Sequence, residues 1–173
     1  MKLYSNEIVF RGHPDKVCDQ IGAALLKEYI KGDSNTRAGI EVMGGKGIIF
    51  ITGEVTSNTY VDVEKVTKRV LKDIGYSTNY TIINNIGKQS QDIALGTNDE
   101  VGGAGDQGMM FGYACNDTKE KLPTAMVILQ KFAKAYDELR QKDTRFLSDG
   151  KAQITGEYDD NFRLTKIKDF VIS

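Results

Sequence analysis

Residue types that carry special chemistry are scarce in this chain of 173 residues, which has one histidine, two cysteines and two prolines. With His13 as the sole histidine, a histidine-built zinc site is disfavoured, and a Ser-His-Asp triad could be assembled only around that residue. Cys18 and Cys115 stand apart with no Cys-x-x-Cys pair, so they read as two buried thiols in a reducing compartment rather than a disulfide or metal framework. No long apolar run is present, and Met1-Lys2-Leu3-Tyr4-Ser5 leads straight into mixed residues with no signal-peptide pattern; a cytoplasmic location is expected, with no membrane partner. Lys and Arg number 23 against 24 Asp and Glu, a net charge of -1, so no overall field favours nucleic acid or anionic lipid. Nor are the aromatics interleaved with basic runs, which removes nucleic acid as a partner. Any anion binding must come from local placement.

What is present is an ordinary globular composition, 40% hydrophobic and 27% charged, enough for one domain or two small ones. Residues 3 to 10 suggest an edge strand. Gly12-His13-Pro14 then breaks the chain and opens a helix, with proline suited to a first turn. Val17, Ile21, Leu25 and Tyr29 carry one apolar stripe to about residue 31, where Gly32-Asp33-Ser34-Asn35 ends it. Strands are predicted over 37–42 and 47–52, joined at Gly44-Gly45-Lys46-Gly47. A second helix runs from about 61 to 74, with Val63, Val66, Val70 and Ile74 inward, Lys65, Lys68 and Lys72 outward, and Gly75 as its stop. Strands follow at 80–86 and from Met109 to Cys115. A third helix begins near Leu122 with Pro123 in its first turn; Met126, Leu129, Ala133, Tyr136 and either Leu139 or Arg140 face inward. Residues 151–158 and 163–172 form a hairpin around Asp159-Asp160-Asn161. The fold class is therefore α+β, with residues 12–115 as one compact unit. The later helix and hairpin form an incomplete one that leaves a sheet face or edge needing cover.

Several stretches carry chemistry. Gly103-Ala104-Gly105-Asp106-Gln107-Gly108 matches a dinucleotide-binding fingerprint, but polar residues precede it and an apolar strand is expected after it, the reverse of what that motif requires. With one carboxylate in a glycine frame, it reads as a binding edge. Gly12-His13-Pro14-Asp15-Lys16 groups an imidazole, a carboxylate and an ammonium at a helix N-terminus, suited either to phosphate with a bridging magnesium ion or simply to helix capping. Asp149-Gly150-Lys151 puts an acid and a base two apart at a strand entrance, where both can meet one ligand or form a surface turn. Glu41 and Glu54 lie on or beside the hairpin strands, either as cation or amine ligands or as solvated carboxylates. Gly87 to Asp92 supplies polar groups to a loop expected to be mobile. No Walker A pattern occurs.

Taken in order, Gly12-His13-Pro14-Asp15-Lys16, Gly53-Glu54, Ile86-Gly87-Lys88-Gln89-Ser90, Gly103 through Tyr113 and Asp149-Gly150-Lys151 resemble S-adenosylmethionine synthetases of the bacterial and eukaryotic type. The resemblance implies repeated β-α-β-β-α-β units about a pseudo-threefold axis, with residues 1–11 and 118–173 sharing the second, incomplete unit. It also implies transfer of the adenosyl group of ATP to methionine, with His13 and Lys151 as catalytic residues. His13, Asp106, Asp149, Gly150 and Lys151 would bind ATP, Asp106 across a subunit interface, and Glu54 and Gln89 would bind methionine. Asp15 would hold Mg2+ and Glu41 would hold K+, while Gln89, Ser90, Asp92, Gly96 and Gly102 would belong to the mobile loop. Glu7 matches a family acid near the same cleft. Family members are about twice this long, and Arg11 stands where they usually carry Glu. The expected arrangement is one subunit of a split synthetase completed by a second chain; a fragment of a longer synthetase and a non-catalytic regulatory paralogue are the alternatives.

Overall fold

A computed structural model describes residues 2–88 and 108–173. In chain order the elements are β1 (Lys2–Val9), α1 (Pro14–Gly32), β2 (Arg37–Gly45), β3 (Ile48–Thr56), α2 (Val63–Ile74), β4 (Thr81–Gly87), α3 (Thr124–Arg140), β5 (Lys151–Tyr158) and β6 (Leu164–Ile172). The fold is α+β. The chain divides into two compact units, one of Val17–Asp73 with Ser77–Phe111 and the other of Met1–Lys16, Ile74–Tyr76 and Gly112–Ser173.

In the first of these, β2 and β3 form an antiparallel hairpin and β4 adds in parallel on the far edge of β3. The hairpin turns at Lys46 and Gly47, whose φ angles are 47° and 84°, the left-handed pair that matches the twist of two-residue hairpins. A parallel neighbour needs a crossover, and α2 supplies it. The predicted stripes are the buried ones: Val17, Ile21, Leu25 and Tyr29 on α1, and Val63, Val66 and Val70 with Leu71 on α2. On β3, Ile49, Ile51 and Val55 are buried along one face. The hydroxyl of Thr67, buried in the α2 stripe, donates to the Val63 carbonyl at 2.7 Å, which removes the cost of an unpaired polar group. Glu28 on α1 accepts from Lys31 and from Arg69 on α2, each at 3.0 Å, and these hydrogen bonds hold its carboxyl below the usual range.

The turn after α1 is tied by Asp33, whose carboxylate accepts the backbone N–H of Asn58 at 2.8 Å and of Asn35 at 3.0 Å. Those bonds, the one from Asn58 first, hold its carboxyl below the usual value. A depressed carboxyl stabilises the fold above its ordinary value near 4 and loses that contribution as pH falls through its lowered folded value. Asp33→Ala is therefore expected to lower the thermal midpoint at pH 7, with the gap to the parent narrowing as pH falls below about 4. A gap independent of pH in melting curves from pH 7 to 3 would assign the effect to something other than the carboxylate.

The other unit is an antiparallel sheet in the order β1-β5-β6. Its central strand alternates strictly, burying Ala152, Ile154, Gly156 and Tyr158. α3 covers that face, and Phe10, Ala125, Leu129, Ala152 and Ile154 form the core. The Phe10 ring stacks on Tyr136 at 4.6 Å and lies 5.9 Å from Phe132. At the end of α3, Arg140 is the inward residue, its side chain 10% exposed, while Leu139 faces solvent at 44%. Pro123 caps α3 from outside and the helix begins at Thr124.

Two expectations are corrected. Residues 109–115 form no strand, and Met109, Met110, Phe111 and Tyr113 are exposed by 69% to 92%. Apolar content makes a segment fit for a sheet, but a strand forms only where an edge offers it backbone partners; among the described residues this segment joins neither sheet. Cys18 and Cys115 are not joined in a disulfide and are half-buried rather than buried. Among the described residues no helix is long and apolar enough to cross a membrane.

Candidate functional site

The predicted residues His13, Asp15, Asp149, Gly150 and Lys151 all fall in the unit built on β1, β5 and β6. The antiparallel register explains how. Val9 opposes Lys151 at the end of the β1–β5 ladder, and the pairing continues past both strands, with Phe10 N–H on the Gly150 carbonyl at 2.8 Å and Gly12 N–H on the Ser148 carbonyl at 2.9 Å. The backbone entering α1 thus runs alongside the backbone entering β5. A Cβ on Gly12 would sit 2.3 Å from Ser148 Oγ and 2.5 Å from its carbonyl carbon, so only glycine permits the approach. The Tyr76 hydroxyl donates to the Gly12 carbonyl at 2.6 Å and fixes the next peptide, the one that leads into His13.

His13 stands at the N-cap of α1, with Pro14 as the first helical residue. The Asp15 N–H donates to His13 Nδ1 at 3.3 Å. Accepting that bond requires a lone pair on Nδ1, which places the imidazole proton on Nε2 and leaves Nε2–H as a donor. The Asp15 carboxylate lies 3.8 Å from the same nitrogen and is 85% exposed, so it is available to a ligand. Lys151 reaches back along the sheet to Glu7, Nζ to Oε1 3.0 Å, with both side chains nearly half exposed. Asp149 accepts the N–H of Gly150 at 2.7 Å. The two backbones of the seam carry an imidazole and a helix N-terminus on one strand of it and an ammonium on the other, residue types that suit an oxyanion of several charges.

Sequence reasoning missed how much of this is positional. Glu7 was noted only as a likeness, yet it is the residue that holds Lys151. Arg11 pairs with Asp137 of α3 at 3.7 Å, and Asp137 also accepts from Arg140 Nε at 2.6 Å. No local pattern announces such pairings, which exist only once β1 and α3 are packed. An apolar groove of about 550 Å³ in the same unit, lined by Tyr4, Tyr113, Met126 and Phe162, holds none of the predicted residues.

Glu41 and Glu54 belong to the other unit. Glu41 pairs with Thr52 and Gly39 with Glu54, so the two acids lie diagonally on one face of the β2–β3 ladder; Glu41 is exposed and Glu54 half-buried. Gln89, Ser90, Asp92, Gly96, Gly102 and Asp106 lie outside the described residues.

Residues 1–94 match the model of the S-adenosylmethionine synthetase N-terminal domain, and residues 101–173 match that of the central domain. The chain belongs to the S-adenosylmethionine synthetase family. It is also similar to an S-adenosylmethionine synthase of Clostridium tetani (strain Massachusetts / E88), 39% identical across 99% of this chain and 49% of that protein. The chain therefore spans about half the length of the curated synthase that it matches. The seam between residues 10–13 and 148–151 joins segments that fall under two separate domain models of the synthetase family.

Proposed function

We propose that this chain carries the phosphate-binding half of a methionine adenosyltransferase, and that a second chain supplying the other half of the family length completes it. The observation that carries this reading is the seam where the backbone entering α1 at His13 runs alongside the backbone entering β5 at Lys151. In the reaction the methionine sulfur attacks C5′ of ATP. The S–C5′ bond forms, the C5′–O bond breaks, and the electron pair leaves with tripolyphosphate, which water then cleaves to pyrophosphate and phosphate. Sulfur needs no base, so the protein's task is to align sulfur with C5′ and to stabilise charge on the leaving oxygens.

His13 Nε2–H and Lys151 Nζ donate to those oxygens, and Lys151 exchanges part of its pairing with Glu7 for the phosphates. Asp149 and Gly150 border the nucleotide, Asp106 approaches it from across an interface, and Glu54 with Gln89 receives methionine. Asp15 holds Mg2+ and Glu41 holds K+. The Asp15 donor suits this: it is one accessible carboxylate beside His13, and magnesium is commonly held by one or two carboxylates with substrate phosphates completing the shell. No group of three or more His, Cys, Asp or Glu among the described residues could cage a metal alone. When bound, the cations supply charge neutralisation on the phosphates. A cytoplasmic setting, with ATP and methionine at hand, belongs to the same reading.

The test is S-adenosylmethionine formation from ATP and labelled methionine, with magnesium and potassium. The chain is assayed alone and then coexpressed with the half of the Clostridium tetani synthase that it does not match. Product only from the pair is expected. Product from the chain alone would place a whole site in it, and silence from both would contradict the reading.

A further inference from the structure

The β1–β5 ladder ends at Val9 and Lys151, yet His13 and Asp149 lie just beyond it, one on each backbone. Two bonds carry the pairing that far, from the Phe10 N–H to the Gly150 carbonyl and from the Gly12 N–H to the Ser148 carbonyl. Residues 10–13 and 146–150 are not strand, so no regular ladder holds the two backbones together there. Pairing at the end of a ladder opens readily unless side chains fix it.

Two tyrosine hydroxyls do so, one on each backbone. Tyr76 follows α2 in the chain but belongs to the same unit as the seam, and it donates to the Gly12 carbonyl at 2.6 Å. Tyr136, packed by α3 against the core of that unit, donates to the Leu147 carbonyl at 2.9 Å. Its ring stacks on Phe10 at 4.6 Å and meets Phe146 edge to face at 6.1 Å. Tyr136 therefore touches both backbones, at Phe10 on one side and at residues 146–147 on the other. The two hydroxyl bonds flank the crossing of Gly12 and Ser148, both buried. A hydroxyl has one proton to donate, so each is engaged by a carbonyl of this chain rather than offered to a ligand.

We propose that Tyr76 and Tyr136 are positioning residues for the phosphate seam. Their hydroxyls hold its two backbones in place past the end of the β1–β5 ladder, so that His13 and the turn from Asp149 to Lys151 are presented together to a triphosphate. This rests on the reading of the seam as the phosphate site and adds what keeps it in shape before nucleotide arrives.

The experiment replaces each tyrosine by phenylalanine, which keeps the ring packing and removes the donor. Amide hydrogen exchange is measured on this chain alone and coexpressed with the unmatched half of the Clostridium tetani synthase, and steady-state kinetics on the pair. Tyr76→Phe and Tyr136→Phe should each speed exchange of the Gly12 amide by about fivefold or more, the worth of one hydrogen bond in local opening. The amide of Ile154, in the middle of β5, should keep the parent's rate. KM for ATP should rise by about the same factor, with KM for methionine within about twofold of the parent. Tyr158→Phe is the control: it removes a hydroxyl of the same unit that accepts from the Asn6 amide at 3.0 Å, and it should leave Gly12 exchange and both KM values near the parent.

Unchanged Gly12 exchange in either variant overturns the proposal, as does equal acceleration at Ile154, which would mean general loosening. Faster Gly12 exchange with KM for ATP unmoved, or with both KM values raised alike, also overturns it, since the bonds would then be structural and nothing more. The same effects from Tyr158→Phe would do likewise. A parent pair that forms no product sinks the synthetase reading, and Gly12 exchange then decides by itself whether the tyrosines hold the seam. Full product formation with unmoved exchange leaves that reading standing and removes the tyrosines from it.

Discussion

Lys151→Ala and His13→Ala are each expected to cut S-adenosylmethionine formation by the completed enzyme by about 10²–10³-fold, the loss typical of removing one donor aimed at developing negative charge. The two should differ in kind. Lys151 is held at 3.0 Å from Glu7 at the start of β5, and its removal leaves Glu7 as an uncompensated carboxylate beside incoming phosphates. Glu7→Gln in the same background should recover part of the loss, since it deletes that repulsion. His13 also caps α1 through Nδ1, so His13→Ala should lower stability by about 1 kcal/mol as well. His13→Asn keeps a capping acceptor and should separate the two effects, with stability near the parent and turnover still low. Steady-state kinetics with thermal melting decides this. Full turnover in both alanine variants would remove the seam from catalysis.

Gly53→Ala is expected to be the most damaging small substitution. Gly53 has a φ of +119° within β3, and a Cβ there would lie 1.9 Å from the Gly39 carbonyl oxygen. Backbone rather than a flexible side chain blocks it, so the β2–β3 ladder must open locally, and a left-handed residue without glycine's freedom adds strain of about 1–3 kcal/mol. A loss of roughly 4 kcal/mol or more is exceptional for one methyl group but belongs to a named mechanism. Because Gly53 precedes Glu54 and opposes Ile40, the same change should disturb the face that carries Glu41 and Glu54. Chemical denaturation of the parent and variant measures it; a midpoint shift worth less than about 1 kcal/mol would mean the strands relax around the methyl group at little cost.

Much of the fold was legible because its signals are local. Val17, Ile21, Leu25 and Tyr29 repeat at helical spacing and are the buried residues of α1; Lys46 and Gly47 turn the hairpin where the glycines predicted it. The order of strands was not written locally. That β1 pairs with β5, bringing Glu7 to Lys151 and Gly12 to Ser148, depends on contacts between the two ends of the chain. Apolar character alone misled at 109–115, where large hydrophobic residues face solvent because pairing, not composition, makes a strand. For the candidate site, motifs pointed to His13, Asp15, Asp149 and Lys151, while packing supplied the contacts around them: the Asp15 amide on Nδ1, the Glu7 ion pair and the Tyr76 hydroxyl on Gly12. Arg11 is answered by Asp137, which Arg140 also engages.

The most direct test of the phosphate seam uses the fact that this chain has one histidine, whose two ring nitrogens give unambiguous NMR signals when this chain alone is nitrogen-labelled. Spectra would be recorded on the completed enzyme at neutral pH, before and after addition of ATP with magnesium. Nδ1 is expected as the acceptor of the Asp15 amide at the start, with Nε2 shifting on addition of nucleotide and Nδ1 holding that bond. An Nδ1–H tautomer, or a His13 spectrum that nucleotide leaves unchanged, would contradict the account of this seam as the place where the triphosphate is held.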